Sequence, residues 1–332
     1  MKLNHSKLID RYNRNLNYLR ISITDRCNLR CQYCVPRQHI PKMAHEEILR
    51  YEEILRIVGV GVGLGISKIR VTGGEPLVRK GVYGFLAALT ATEGVADVSL
   101  TTNGVLLKDH IERILAAGIR RINVSLDTLK PDKYRLITGR DRFHQVWEGI
   151  QGALERGFDP IKLNAVAMGG VNDDELLDLA RLSFDYPFHI RFIEYMPMGL
   201  ARVPDGKPLL APEIKSRLSA LGTLHPVAHQ SLDGPAERYR FDGALGEIGL
   251  IRPISHHFCQ KCNRLRLTAA GRLRPCLLSD QSVDLRGPLR RGCRDDELAA
   301  IFLQAVRTKP FQHQVAARHP AAVSAQMCAI GG

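Results

Sequence analysis

The sequence contains no apolar run long enough to cross a membrane, and its opening stretch, MKLNHSKLIDRYNRNLNYLR, lacks the apolar middle of a secretory signal. Both absences predict a soluble, cytoplasmic protein with no membrane partner. There is no G-x4-G-K-[ST] loop, and the glycines of GVGVGLG do not fit G-x-G-x-x-G, so neither familiar glycine-rich phosphate cradle is present. Internal repeats and low-complexity segments are missing as well. Aromatic residues make up 6% of the chain, and no basic stretch is interleaved with them as in a nucleic-acid-binding patch.

What the chain does have is positive charge. Lysine and arginine total 47 against 34 aspartate and glutamate, a formal balance of +13 over 332 residues. Such an excess favours an anionic partner: nucleic acid, an acidic membrane surface or a phosphorylated small molecule. Hydrophobic content of 45% is ample for a packed core.

Eight cysteines stand at 27, 31, 34, 259, 262, 276, 293 and 328. A large chain without a secretory signal has little use for disulfides, and six of the eight form two triplets, so the pattern speaks for metal. Cys27, Cys31 and Cys34 have C-x3-C-x2-C spacing just after the strand-like LRISITD. Three thiolates can hold a [4Fe–4S] cluster by three irons and leave the fourth open for chemistry; a structural zinc with a distant histidine is the alternative. Cys259, Cys262 and Cys276, spaced C-x2-C-x13-C, admit the same two readings.

From residue 19 to about 196, short β-branched runs alternate with amphipathic stretches of helical spacing. The strand candidates are LRISITD, ISKIRVTGG, VADVSLTTNG, IRRINVSLD, IKLNAVAMGG and HIRFIEYMP, with one helical stretch between each pair. Every one ends in a polar cluster, from Thr24 and Asp25 in the first to Arg191 and Glu194 in the sixth. In a β/α barrel such ends converge on one mouth. We therefore expect an α/β fold: an incomplete (β/α)6 TIM-type barrel over residues 1–197, with residues 198–332 forming an extension that covers the barrel mouth. The extension is expected to be irregular around its cysteines, with helices at APEIKSRLSALG and DDELAAIFLQAVRTK.

The first triplet, with Tyr33 just before its last cysteine, followed by TGGEP at the end of the second strand, resembles the signature of the radical S-adenosylmethionine (SAM) superfamily. YLRISITDRCNLRCQYC, KIRVTGGEPLVR, NVSLDTL, ITGRDRF, KLNAVAMGGVN, RFIEYMPMG, GEIGLIRPISHHFCQKCNRLRLTAAGRLRPCL and DLRGPLR, in that order, together with the closing Gly331-Gly332, resemble the GTP 3′,8-cyclases (MoaA-type). These open molybdenum cofactor biosynthesis. The resemblance runs from about Arg20 to Gly332. Two departures are Arg252, where a small polar residue is usual, and Ala270, where aspartate is usual.

The resemblance implies two [4Fe–4S] clusters, on Cys27, Cys31 and Cys34 and on Cys259, Cys262 and Cys276, with SAM on the open iron of the first. It implies SAM contacts from Tyr33, Gly74, Ser125 and Met196. GTP would meet Arg20, Arg70, Thr101, Lys162, Arg191, Arg264, Leu265 and Arg266, its guanine on the second cluster's open iron. A 5′-deoxyadenosyl radical would abstract hydrogen from ribose C3′, and the carbon radical would close onto guanine C8 to give 3′,8-cyclo-7,8-dihydro-GTP. Gly331 and Gly332 would enter the barrel mouth and help place GTP. Partners implied are an external one-electron donor and the next enzyme of the pathway; a homodimer is compatible with the sequence. Two other functions share some of these features: a different twin-cluster radical enzyme, such as a peptide-modifying one, and a zinc-dependent nucleic-acid-binding protein.

Overall fold

In a computed structural model the described residues are 7–35, 42–196, 198, 207–228, 234–313, 323 and 327–331. Six strands form where the period-2 runs stood: β1 (Tyr18–Ser22), β2 (Lys68–Thr72), β3 (Asp97–Thr102), β4 (Ile122–Ser125), β5 (Ile161–Gly169) and β6 (His189–Glu194). They pair in parallel in chain order, as crossover helices require. On β1, Leu19 and Ile21 are fully buried in the core, while Tyr18 and Arg20 line a central cavity. The two-residue alternation thus gives each strand an apolar outer face and a polar inner one.

The connecting helices are α1 (Tyr51–Gly63), α2 (Val82–Thr90), α3 (Leu107–Ala116), α4 (Pro131–Thr138), α5 (Phe143–Glu155) and α6 (Leu176–Asp185). In α1 the buried Ile54, Ile57, Val58 and Gly61 recur at helical spacing, which turns one stripe to the sheet. Between β4 and β5 there are two helices where the sequence suggested one. The missed α4 is only two turns long, and Leu136, 64% exposed, breaks its apolar periodicity.

The C-terminal region holds more regular structure than expected. After β7 (Lys207–Pro208) and α7 (Ala211–Leu218) come β8 (Leu224–Pro226), β9 (Glu237–Phe241), β10 (Glu247–Ile251), β11 (Arg264–Leu267), β12 (Arg272–Arg274) and β13 (Val283–Asp284). Strand β10 lies parallel against β6 and β11 parallel against β1. A six-stranded open barrel leaves two edges with unpaired backbone groups, and these strands occupy one edge each. The sheet remains open, ending at β13 on one side and β8 on the other. Helices α8 (Arg286–Arg290), α9 (Asp295–Arg307) and α10 (Met327–Ile330) complete the chain; α9 packs beside α1, where Arg56 pairs with Asp295 at 2.9 Å. No described helix is long and apolar enough to cross a membrane.

Candidate active site

The inward faces and the C-terminal ends of the strands enclose a cavity of about 290 Å³, and all six triplet cysteines line it. The first triplet sits on the loop after β1. This loop is fastened to the end of α4, because Arg30 and Gln32 donate their N–H groups to the carbonyls of Thr138 (2.8 Å) and Ile137 (3.0 Å). Its other side rests on the TGGEP turn: Gly74 N–H donates to Thr24 O at 2.6 Å and Glu75 N–H to Arg26 O at 2.8 Å. A Cβ on Gly74 would lie 2.4 Å from Arg26 O, so only glycine lets the two loops meet. The close approach of this glycine is therefore first of all to the cysteine loop, although Gly74 also borders the cavity.

Glu75 is completely buried and braces the strand ends. Its carboxylate accepts from Leu77 N–H (3.0 Å), Thr102 Oγ1 (2.9 Å) and Asn103 N–H (2.7 Å). Burial nevertheless pushes it up to about 7. Asn103 in turn directs Nδ2 to Asn28 Oδ1 (2.7 Å) and lies 3.6 Å from Cys27 Sγ. Tyr33 donates its hydroxyl to Asp127 at 2.8 Å, and burial raises that carboxyl to about 6. Burial also raises the thiols of Cys27 and Cys31, while Cys34 is raised by a hydrogen bond with Cys328 and then by burial. Cys328, on α10, is a neighbour of the first triplet that spacing could not reveal.

The second triplet is mixed, since burial raises Cys259 just as it raises Cys27 and Cys31. Burial would raise Cys262, but Arg264 and Lys309 bring it down to about 6. Arg264 lies over the Phe258 ring at 4.7 Å, and Arg14 fixes the turn by donating to Cys259 O at 2.7 Å. His257 and His313 meet edge to face beside Cys259, both bonded to Pro253 O. Glu194, at the end of β6, accepts from Ala211 N–H (2.9 Å), Ile254 N–H (2.8 Å) and Ser255 N–H (2.9 Å), which ties the second half of the chain to the barrel. The departure at Arg252 is accounted for by an ion pair with Glu237 at 2.8 Å. Ala270 lies in the Thr268–Arg272 turn, and nothing in the structure explains why it replaces aspartate.

Register brings the cations together: Arg266 pairs with Arg20 across β11 and β1, and Arg20 with Arg70 across β1 and β2. Arg20, Arg70, Arg191, Arg264 and Arg266 all line the cavity, as do Thr101, Ser125 and Met196. Burial and then the neighbouring Arg266 hold Arg20 well below the ordinary arginine range; burial and then Arg264 bring Arg266 to about 10. The lining carboxylates, Asp127 and Glu194, are already engaged by N–H and O–H donors. Such a nest of cations is relieved by a polyanion.

Two expected contacts stand apart from this wall. Lys162 is buried below the cavity lining, between Asn123 and His189 in the ladder. Leu265 is fully buried in the apolar core, on the face opposite Arg264 and Arg266, so it can offer a ligand only its backbone. Gly331 is buried against β1 and β2, and its carbonyl accepts from Arg266 Nη1 at 3.0 Å. Its φ is +73°, and a Cβ there would lie 2.7 Å from Thr72 Cγ2. Gly332 lies outside the described residues.

Residues 21–183 match the radical SAM superfamily model, and residues 188–315 match that of the molybdenum cofactor synthesis C region. A GTP 3′,8-cyclase of Moorella thermoacetica is 51% identical over 92% of this chain and 95% of its own length. The chain belongs to the GTP 3′,8-cyclase family. A second member of the family, from Heliobacterium modesticaldum, is 48% identical over 93% of this chain and 95% of its own length. Among solved structures, Streptococcus suis SuiB bound to S-adenosylmethionine superimposes with a TM-score of 0.62 over 92% of this chain and 78% of that one. At 14% identity this likeness speaks for the fold alone.

Family membership makes the chain a radical SAM enzyme with S-adenosylmethionine and an iron–sulfur cluster as cofactors. The donor set fits. Thiolates are the protein ligands of iron–sulfur clusters, and the six thiols of the two triplets line this cavity.

Proposed function

We propose that this chain converts GTP to 3′,8-cyclo-7,8-dihydro-GTP, the first step of molybdenum cofactor biosynthesis, using two [4Fe–4S] clusters held at opposite sides of one cavity. The observation that carries this reading is that both thiol triplets and the arginine wall line the same enclosed space. Cys27, Cys31 and Cys34 would hold the first cluster, with Tyr33, Gly74, Ser125 and Met196 around S-adenosylmethionine. Bound there, cluster and cofactor supply a 5′-deoxyadenosyl radical. Cys259, Cys262 and Cys276 would hold the second cluster, beside which guanine lies.

The protein's own part is to bind, orient and exclude water. Arg20, Arg70, Arg191, Arg264 and Arg266 grip the triphosphate through charge-assisted hydrogen bonds and so fix where the ribose sits. Thr101 adds a hydroxyl from the same wall, and Lys162 adds charge from beneath it. Gly331, wedged beside Thr72, holds Arg266 by its carbonyl, and through this contact the Gly-Gly tail would help place GTP. An external one-electron donor feeds the reaction, and the product passes to the next enzyme of the pathway. The reducing cytoplasm suits six cavity-lining thiols, and a homodimer is compatible with this reading.

Iron and sulfide analysis of anaerobically prepared protein should find two clusters per chain. Serine at Cys27 should abolish formation of 5′-deoxyadenosine, whereas serine at Cys259 should leave the first cluster in place and stop cyclisation. Stoichiometric zinc at the second triplet in fully active protein would refute the two-cluster reading.

A further inference from the structure

Beyond α9 the chain turns back beneath the second triplet and places Lys309 there, only 2% exposed. Its Nζ donates to Pro275 O at 2.6 Å, to Arg264 O at 2.9 Å and to Cys262 Sγ at 3.5 Å. Three acceptors match the three N–H donors of an ammonium group. Each acceptor belongs to the second triplet's own scaffold. Cys262 carries a thiol, Arg264 opens β11 two residues later, and Pro275 immediately precedes Cys276. One ammonium therefore spans the two chain segments that bring the second and third thiols to the cavity. The next residues are fastened in turn, since Arg14 donates to Pro310 O at 2.8 Å and Phe311 O at 3.1 Å as well as to Cys259 O.

Burying an ammonium carries a large desolvation cost, and a methionine would fill similar space without it. What methionine could not supply is a positive charge directed at a ligand sulfur. Hydrogen bonds and charge at thiolate sulfurs are among the factors that set a cluster's reduction potential, because they favour the more negative, reduced state.

We infer that Lys309 is a positioning residue of the second cluster, which joins the segments bearing Cys262 and Cys276 and raises that cluster's reduction potential through its contact with the Cys262 sulfur. The inference rests on the two-cluster reading above. Its role differs from that of the arginine wall, because the ammonium contacts the cluster scaffold and not GTP.

The test compares anaerobic full-length holoenzyme with Lys309→Met and Lys309→Arg in a potentiometric titration followed by electron paramagnetic resonance. Adding GTP and S-adenosylmethionine separately assigns the signals, the GTP-responsive one belonging to the second cluster. In Lys309→Met that signal should reduce at more negative potential. At a fixed ambient potential its reduced-to-oxidised ratio should fall about tenfold, or ~59 mV for a one-electron couple. Lys309→Arg should restore most of the difference, and the S-adenosylmethionine-responsive signal should not move. An unchanged midpoint in Lys309→Met would overturn the inference. If Lys309→Met loses the second cluster, its retention near the wild-type midpoint in Lys309→Arg supports the role of the charge, while its loss there too reduces Lys309 to packing and overturns it. Iron for only one cluster in the wild-type protein would instead bring down the two-cluster reading itself.

Discussion

At the scale of single residues, the site is governed by charge that burial makes expensive. Lys162 is the clearest case: burial first, then Arg191, Arg121, Arg70 and Lys68, bring its ammonium down to about 6. Between that value and the ordinary lysine range, the unfolded chain binds a proton that the folded one does not. The ligand-free fold is therefore weakened at neutral pH, and its stability rises with pH across this window. We predict that Lys162→Met stabilises the ligand-free protein at pH 7 by on the order of 1–3 kcal/mol in thermal unfolding. A triphosphate nearby restores the proton, so GTP binding above pH 6 should take one up and weaken as pH rises. Calorimetry in two buffers of different ionisation enthalpy should show this uptake in the wild type and its absence in Lys162→Met. Arg264→Ala should cost GTP about 1.5–3 kcal/mol of binding while changing guanosine binding little; equal losses for both ligands would remove Arg264 from the phosphate site.

At the scale of elements, the barrel's strand ends and the cysteine loop are built as one unit. The TGGEP turn supplies two backbone bonds to that loop and, through Glu75 and Asn103, reaches the Cys27 sulfur. Gly74→Ala should push the loop away, since the added carbon meets a backbone carbonyl that cannot rotate aside. We expect iron content to drop to that of one cluster, with the barrel still folded and destabilised by about 1–3 kcal/mol. Retention of both clusters in this variant would show that the loop adapts. Much of this unit was legible in the sequence, because β-branched runs, polar strand ends and fixed thiol spacing are local patterns. The roles of Asn103, Asp127, Cys328 and Lys309 were not, since each depends on a partner far away in the chain. Strand β10 was missed for a related reason: EIGLI is too short to declare itself until the open edge of β6 is there to receive it.

At the scale of the whole molecule, the two halves of the chain meet at one cavity. The amino-terminal half brings the first triplet, the carboxyl-terminal half brings the second, and the tail is wedged between Ser22 and Thr72 with Arg266 on its carbonyl. Deleting Gly331 and Gly332 should therefore retain both clusters, cleavage of S-adenosylmethionine and GTP binding, while cyclisation is lost. Full cyclisation by the truncated chain would make the tail dispensable.

Under the proposed function, one cavity holds the GTP ribose within reach of the radical generated at the first triplet. Its most direct test is anaerobic turnover with S-adenosylmethionine, a reductant and GTP deuterated at ribose C3′, followed by mass analysis of both products. We predict that deuterium appears in 5′-deoxyadenosine and that the nucleotide becomes 3′,8-cyclo-7,8-dihydro-GTP. 5′-Deoxyadenosine without deuterium, alongside unchanged GTP, would mean that the radical does not reach the ribose and would overturn the proposed function.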